Sequence, residues 1–245
     1  MKRIALNILT LIIILSLAAC GRPGEKSSNP SSNSSTNTSS SSTEPAPPGE
    51  APSKAEQLLR EMTLEEKIGQ LFIIRPESLK SNLTAEQVNN SKAYGATELE
   101  SQMAEALKRY AVGGVALFQK NILSPAQLTA FVDAMQEQGK IPLFVGVDEE
   151  GGPVSRIANS KGFDVQKYES MEAIGRTGDR KTAQNVGFTI GSYLKRYGFN
   201  LDFAPVADVN TNPDNIVIGN RSFGSDPALV AGWYPQRLPG STKRA

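Results

Sequence analysis

The segment SPAQLTAFVDAMQEQGKIPLFVGV, residues 124–147, encodes a helix followed directly by a buried strand. Ser124 and Pro125 are preferred at the N-cap and the first position of a helix, and Gly139 is typical of a helix end. Apolar residues recur between them at helical spacing: Leu128, Phe131, Val132 and Met135. Residues 142–147 are then almost continuously apolar, which is typical of a parallel strand covered on both faces.

The same alternation of helix and strand is found on both sides of this segment. Thr63 and Glu66 form a capping-box pattern that predicts a helix start, and helical spacing covers residues 98–110 and 181–197. Strand-like apolar runs cover residues 70–75, 112–119, 142–147 and 199–206. The sequence therefore predicts an α/β fold with about four βα units, which is half of a (β/α)₈ TIM barrel. An open doubly wound sheet is the alternative, although no Gly-x-Gly-x-x-Gly turn follows a strand.

Residues 1–19 have the features of a targeting segment. Lys2 and Arg3 precede the apolar residues 4–19, a stretch too short for a stable membrane span. It ends in Leu-Ala-Ala-Cys-Gly, which resembles the bacterial lipobox, where a signal peptide is removed before a cysteine that receives a diacylglycerol. We therefore expect Cys20 to be lipidated and to anchor an extracytoplasmic protein to the cell membrane. A chance cysteine after an ordinary signal peptide is the alternative.

Residues 20–53 differ in composition from the rest of the chain. They are rich in Ser, Asn, Thr and Pro and contain almost no large apolar side chain. Such a segment cannot bury enough apolar surface to offset the entropy lost on ordering. We expect a disordered linker between the membrane and a folded part that covers residues 54–230.

Composition limits the chemistry of the folded part. Lys and Arg total 26 against 25 for Asp and Glu, a balance that gives no indication of nucleic-acid binding. The chain has no histidine and one cysteine, so an internal disulfide and histidine acid–base chemistry are excluded. Any chemistry would depend on carboxylates, Lys, Arg, Ser or Tyr, and no cofactor or metal is implied.

Three ordered motifs resemble glycoside hydrolase family 3. VDEEGGPVSR at residues 147–156 is similar to the family signature in which an Asp ends the third strand and an Arg follows. LDFAPVADV at residues 201–209 resembles the fourth-strand motif, and IGNRSFGSDP at residues 218–227 resembles the Arg-Ser-Phe-Gly loop. Residues 113–121 are similar to the second strand of the β-N-acetylglucosaminidase, or β-hexosaminidase, branch.

The resemblance implies that Asp148, Arg156 and Arg221 hold the non-reducing sugar of a substrate. They follow predicted strands, at the face where parallel barrels build their sites, and charged groups form strong hydrogen bonds with sugar hydroxyls. A structural alternative is that Asp148 and Arg156 only pair across a loop. Other carboxylates are expected to support the site or lie on the surface (Glu149 and Glu150) or to fix loops as acceptors (Asp202 and Asp208).

The resemblance also implies catalytic groups that this sequence does not supply. In this branch the acid/base is a histidine paired with an aspartate on a loop beyond strand five, and the nucleophile is an aspartate near strand seven. The chain has no histidine and stops before both positions, so no catalytic residue is assigned. After Val230 the expected helix is replaced by residues 231–245, whose prolines and glycines predict a broken helix and a frameshifted tail.

Two functional classes remain open. The first is a glycoside hydrolase that removes terminal β-linked N-acetylglucosamine from cell-wall or chitin-type oligosaccharides, represented here by an inactive fragment. The second is a non-catalytic sugar-binding remnant. A β-glucosidase-type specificity is the alternative within the enzyme class, because both sugars share the hydroxyls that these motifs would bind.

Overall fold

The computed structural model describes residues 53–237. In chain order the elements are α1 (Lys54–Glu61), α2 (Leu64–Gly69), β1 (Ile73–Ile74), α3 (Ala85–Asn89), α4 (Ser101–Tyr110), β2 (Gly114–Leu117), α5 (Pro125–Gln138), β3 (Phe144–Val147), α6 (Met171–Arg176), α7 (Arg180–Arg196), β4 (Leu201–Asp202) and α8 (Pro227–Arg237), with short 3₁₀ helices at Pro76–Leu79, Gln119–Asn121 and Gly219–Arg221. None of the helices within residues 53–237 is long and apolar enough to cross a lipid bilayer. The predicted signal peptide, Cys20 and all of the predicted linker except Ser53 lie outside the described residues.

The four strands form one parallel sheet in the order β1-β2-β3-β4. The register pairs Ile74 with Val115 and Leu117 with Val147. Strands that neighbour each other in chain order, joined by helical crossovers, are what consecutive units of a barrel require, whereas a doubly wound sheet reverses its strand order. The predicted α/β fold with four parallel strands is confirmed.

All four strands are shorter in the structure than the apolar runs that predicted them, and β1 and β4 are the shortest, at two residues each. The apolar run at residues 70–75 contributes only its later part to β1, because the amides of Leu71 and Phe72 close a turn onto the end of α2. The run at residues 199–206 is reduced to β4. Pro205 has no amide proton and so cannot extend the ladder beyond it.

The helix starts follow the capping chemistry of the sequence. Thr63 Oγ1 accepts from the amide of Glu66, whose carboxylate accepts in turn from the Thr63 amide. Ser124 Oγ accepts from the amide of Gln127 at the start of α5. A helix not predicted from the sequence, α1, begins with the same kind of box at Ser53. Each such cap contributes roughly 1 kcal/mol by satisfying amides that the helix itself cannot pair.

The core lies between the sheet and the helices on its outer side. The outward strand residues are fully buried, and they belong to one cluster with apolar residues of α5 and α7: Val115, Leu117, Val145, Val147, Leu128, Phe131, Val186 and Ile190. The opposite, inner face of the sheet is more open, since Phe144 is 54% exposed. The loops that follow the strands are therefore held on a rigid scaffold.

The end of the described chain corrects one sequence-based expectation. The helix expected to break after Val230 continues as α8, so that prediction is wrong. Gly232 lies inside α8, where glycine costs only about 1 kcal/mol relative to alanine. Trp233 is 3% exposed and stacks on Phe223 with ring centroids 6.0 Å apart, and burying an aromatic side chain outweighs that cost. The frameshift explanation stays a prediction, and residues 238–245 lie outside the described part of the chain.

Candidate functional site

Asp148 and Arg156 lie side by side at the carboxyl end of β3. Asp148 directly follows the strand, and Arg156 Nη2 donates to Asp148 Oδ2 at 3.0 Å. The side chain of Arg156 is 29% exposed and that of Asp148 is 27% exposed. Arg156 Nε is buried and has no hydrogen-bond partner within the described structure. The pair predicted as a structural alternative is thus present, and it retains surface that a ligand can reach.

A tight turn carries the chain from Asp148 back to Arg156. The amide of Arg156 donates to the carbonyl of Asp148 at 3.3 Å. Gly151 and Gly152 have φ values of 85° and 99°, a conformation in which only glycine avoids a Cβ penalty. A Cβ on Gly152 would also lie 2.9 Å from Ser170 Cα. Both glycines are therefore required to bring the two charged residues together.

Glu149 is fully buried beneath this turn. Its Oε2 accepts from the amide of Ile157 at 2.7 Å, and its Oε1 accepts from the amide of Ala158 at 3.0 Å and from the Tyr193 hydroxyl at 2.7 Å. Burial, and then the charge of Glu149, raise the pKa of Tyr193, so the phenol stays protonated as a donor. Glu149 therefore links the segment after Arg156 to α7 by hydrogen bonds. It supports the site from the interior and does not lie on the surface.

Arg221 is held by Glu150 through two parallel hydrogen bonds. Arg221 Nε donates to Glu150 Oε2 at 2.8 Å and Nη2 donates to Oε1 at 2.6 Å, while Nη1 donates to the carbonyl of Val217 at 2.9 Å. The bond to Glu150 is the main cause that raises the pKa of Arg221, and the charges of Asp208 and Asp148 add to it. The two bonds to Glu150 therefore bring Arg221, from the loop before α8, to the segment that also carries Asp148.

Asp202 and Asp208, the two aspartates expected to fix loops, make different hydrogen bonds. Asp202 Oδ1 accepts from the amide of Glu149 at 3.0 Å, which is the loop-fixing role expected for it. The carboxylate of Asp208 is on an exposed residue, and it is the Asp208 carbonyl that accepts from Ser222 Oγ at 2.6 Å. At Asp208 the main chain, not the side chain, fixes the loop.

Asn121, from the second-strand resemblance, is structural. It is fully buried, and its Nδ2 donates to Glu77 Oε1 at 2.6 Å and to the carbonyl of Ala96 at 2.9 Å. Its Oδ1 accepts from the amide of Phe118 at 2.9 Å. These bonds join the segments that follow β1 and β2, so Asn121 shapes the site face without lying on its surface.

Sequence reasoning did not single out Tyr193 or Arg75. In the sequence Tyr193 belongs to the apolar face of α7. Only the structure shows that its hydroxyl donates to the buried carboxylate of Glu149. Arg75 lies just after β1 with its Cζ 3.8 Å from the centroid of the Phe118 ring. The available signal was position, because Arg75 is the charged last residue of the apolar run at residues 70–75, and Asp148 directly follows the run at residues 142–147.

The structure brings the three predicted residues to one face. Two carboxylates from the segment after β3 each pair with an arginine, giving Asp148–Arg156 and Glu150–Arg221. Paired groups of this kind are fixed before a ligand arrives and can exchange hydrogen bonds with adjacent hydroxyls. Within residues 53–237 no group of three or more His, Cys, Asp or Glu side chains is placed to hold a metal ion.

Known proteins share both the sequence and the fold of this chain. The chain is 35% identical over 142 residues to beta-hexosaminidase A of Pseudoalteromonas piscicida, an alignment that covers 55% of this chain and 23% of that protein. It is 40% identical over 136 residues to beta-hexosaminidase LpqI of Mycobacterium tuberculosis, covering 53% of this chain and 33% of that protein. The chain thus spans about a quarter to a third of the length of these curated relatives.

Solved structures agree with these relatives. A glycoside hydrolase family 3 beta-N-acetylglucosaminidase from Paenibacillus sp. str. FPU-7 superposes with a TM-score of 0.60 and 29% identity, covering 73% of this chain and 31% of that one. NagZ from Neisseria gonorrhoeae, solved with N-trifluoroacetyl-D-glucosamine, gives a TM-score of 0.53 and 29% identity, covering 59% of this chain and 43% of that one. The expected partial (β/α)₈ barrel agrees with this similarity.

The family model for the glycosyl hydrolase family 3 N terminal domain matches residues 63–236, which include all four strands and both ion pairs of the site. That match covers most of the chain. The chain therefore belongs to glycosyl hydrolase family 3 and carries its N-terminal domain.

Proposed function

We propose that this chain binds the terminal non-reducing β-N-acetylglucosamine of an oligosaccharide, as part of a glycosidase that removes this sugar. The observation that carries the proposal is the meeting of two ion pairs at the segment after β3, where Asp148 pairs with Arg156 and Glu150, two residues on, pairs with Arg221. A carboxylate can accept from two adjacent sugar hydroxyls, and a guanidinium donates in a fixed plane. All three side chains are partly exposed, so they can reach a ligand.

N-acetylglucosamine is favoured over glucose by the comparisons. The relatives are beta-hexosaminidases, and a structural neighbour holds an N-acylated glucosamine derivative. Glucosidase-type specificity remains the second candidate, because the three residues would contact hydroxyls that both sugars possess.

Turnover requires more than these residues provide. Retaining glycosidases need a nucleophile and a proton donor on either side of the scissile bond. The family resemblance implies a histidine for proton transfer, and none of the 245 residues is histidine. We therefore propose that these 245 residues bind the sugar but do not hydrolyse its glycosides unaided.

A titration of the purified chain with sugars tests this proposal. We expect N-acetylglucosamine to bind with a dissociation constant on the order of millimolar, because few hydrogen bonds on an open face are exposed to competition from water. Glucose should bind more weakly, and a chromogenic N-acetylglucosaminide should not be cleaved. Asp148→Asn should lower the affinity about tenfold or more, whereas Asp133→Asn, on the exposed side of α5, should leave it unchanged. Equal binding by both variants, or turnover lost on Asp148→Asn, would overturn the proposal.

The cell membrane is the proposed location. The basic start, the short apolar run and the Leu-Ala-Ala-Cys end occur together in residues 2–20 and support lipidation of Cys20. The anchor would hold the sugar-binding part outside the cytoplasm, where cell-wall or chitin-type oligosaccharides are found.

A further inference from the structure

The sheet has a free edge on each side within residues 53–237. β1 pairs only with β2, and β4 pairs only with β3. The outer side of each edge strand therefore presents main-chain N–H and C=O groups that no strand of the described chain pairs, and such an edge is a template for another strand. Because all four strands run in the same direction, the edge of β4 can receive β1 of another chain in parallel.

The inner face of the sheet is apolar and uncovered. Ile73 of β1 and Phe144 of β3 both flank Gly114 in the register and point inward with it, opposite to the outward valines. Phe203 follows β4, and its ring lies over Gly146 on the same face. These three large side chains are 41%, 54% and 44% exposed. In an eight-stranded parallel barrel such side chains fill the interior, and four strands supply half of it.

An apolar groove flanks each free edge. The groove beside β1 has a volume of about 450 Å³, and the groove beside β4 has a volume of about 660 Å³. The β1 groove is lined by α2, the start of β1 and the last turn of α4: Glu65, Ile68, Phe72, Arg109 and Tyr110. The β4 groove is lined by α7 and by β4 itself: Phe188, Leu194, Lys195, Leu201 and Asp202. Both edges thus offer apolar surface as well as main-chain hydrogen bonds.

The exposed apolar surface is as large as a stable interface requires. The large side chains on or beside the two edges and the inner face are between 41% and 81% exposed: Leu64, Ile68, Leu71, Phe72, Ile73, Tyr110, Phe144, Phe188 and Phe203. With roughly 200 Å² of surface for each such side chain, they expose on the order of 1,000 Å². A standard protein–protein interface buries about 800 Å² on each partner. One partner that covers both edges and the inner face would therefore bury enough surface to bind stably.

The two grooves also carry complementary charges. Glu65 in the β1 groove and Lys195 in the β4 groove are both exposed. Neither forms an ion pair in the part of the chain that the structure describes. Each belongs to a helix that precedes its edge strand, so both lie toward the amino end of the sheet. If β4 of one chain paired with β1 of another, the acid and the base would face each other at that junction.

We propose that two copies of this chain associate through β4 of each copy and β1 of the other, and so close an eight-stranded parallel barrel. A second copy fits because it brings a β1 edge for each β4 edge, and because four further strands give the number whose interior side chains can fill. A two-fold axis along the barrel makes both junctions identical, so association stops at the dimer. All carboxyl ends then lie at one end of the barrel, and Asp148 of each copy opens into a mouth that the other copy completes.

Sedimentation equilibrium of the purified 245-residue chain at low salt tests this closure. The chain has a mass of 26.3 kDa, and we expect a single step to twice that mass with a dissociation constant in the micromolar range. Glu65→Lys and Lys195→Glu should each weaken the dimer about tenfold, because each places like charges at both junctions. Combined in one chain, the two substitutions restore opposite charges, and the affinity should return to within about threefold of the original.

Glu137→Lys is the matched control. Glu137 is exposed on α5, which joins the two central strands away from both edges, so the same charge reversal should leave the dimer unchanged. A chain that stays monomeric across the micromolar range, or that assembles beyond the dimer, would overturn the closed barrel. A dimer that neither single substitution weakens, or that the double substitution does not restore, would show that the copies associate elsewhere and would overturn it as well.

Discussion

Glu150 and Arg221 are 71 positions apart in the chain and form a two-point ion pair, with distances of 2.8 and 2.6 Å between paired nitrogen and oxygen atoms. Glu150 belongs to the turn after β3 and is 4% exposed, whereas Arg221 belongs to the loop that precedes α8. The pair ties the turn after β3 to the loop that precedes α8. The position of Arg221 therefore depends on the same turn that holds Asp148 and Arg156.

Glu150→Gln should loosen Arg221 and lower stability. The amide can accept from one guanidinium nitrogen, but its NH₂ group faces the other donor. We expect a loss of about 1–3 kcal/mol in the free energy of unfolding, measured by urea denaturation, because the guanidinium of Arg221, which is 25% exposed, loses its charged partner. Affinity for N-acetylglucosamine should fall as well.

Glu172→Gln is the matched control for that measurement. Glu172 pairs with Arg176 on the surface of α6, where both side chains are well exposed. Its loss should change the unfolding free energy by less than about 0.5 kcal/mol and leave sugar binding unchanged. Equal effects of the two substitutions would show that the Glu150–Arg221 pair does not position the site.

Tyr193→Phe should weaken the support beneath the turn and change the response of the protein to alkaline pH. The substitution keeps the ring but removes a donor from the buried carboxylate of Glu149. At neutral pH we expect a loss of about 1–3 kcal/mol in unfolding free energy. Tyr197→Phe, whose hydroxyl accepts from the exposed Arg196, should cost less.

The sign of the pH effect follows from the raised pKa of Tyr193. An unfolded tyrosine titrates near 10.0, and the folded one titrates higher because of burial and the Glu149 charge. Between these values the folded state binds more protons, so stability falls as pH rises above about 10. In Tyr193→Phe that decline is absent, and the two stability curves should converge at high pH. Parallel curves across this range would contradict the assigned hydrogen bond.

Gly175→Ala should destabilise the packing of α6 against the loop of Arg221. A Cβ at Gly175 would lie 1.9 Å from the carbonyl oxygen of Phe223, a main-chain atom that cannot move aside alone. We expect a loss of about 1–3 kcal/mol. Gly191→Ala in α7 is the control, since nothing lies within 4 Å of its added Cβ and alanine is the better helix former. It should stabilise by up to about 1 kcal/mol, and thermal denaturation of both variants checks the contrast.

Sequence reasoning recovered what depends on neighbours in the chain. The caps at Thr63 and Ser124 follow from hydrogen bonds over three residues, and the strand Phe144–Val147 follows from the local apolar run at residues 142–147. The site residues were found through motif resemblance at the ends of such strands. These features need no knowledge of how distant segments pack.

The remaining features depend on contacts between distant segments. The support of Glu149 by Tyr193 and the pairing of Glu150 with Arg221 join residues 44 and 71 positions apart, and nothing in either local pattern predicts them. The persistence of α8 through Gly232 has the same cause, because the stack of Trp233 on Phe223 exists only in the folded chain. Local propensity was outweighed there by burial.

Lipidation of Cys20 is a prediction from sequence that an expression experiment can check. In bacterial cells the unmodified chain should incorporate radiolabelled palmitate and fractionate with membranes. Cys20→Ser should lose the label and leave the membrane fraction. An anchor at Cys20 would be contradicted if the unmodified chain took up no label and if it and the Cys20→Ser variant were found in the soluble fraction to the same extent.

The final prediction separates a ligand role of Asp148 and Arg156 from a purely structural one. Their single hydrogen bond is partly exposed, so it should contribute no more than about 1 kcal/mol to folding. If the pair serves a sugar, Asp148→Asn and Arg156→Gln should each lower affinity for N-acetylglucosamine about tenfold or more while changing stability little, since hydrogen bonds to charged groups contribute about 1.5–3 kcal/mol. Lys140→Gln breaks the ion pair with Glu66 ahead of β3, at the opposite end of the sheet, and should leave affinity unchanged. A pair that only closes its loop would give the reverse result: stability would fall in both site variants, and the sugar, if it bound the unmodified chain, would bind them equally well.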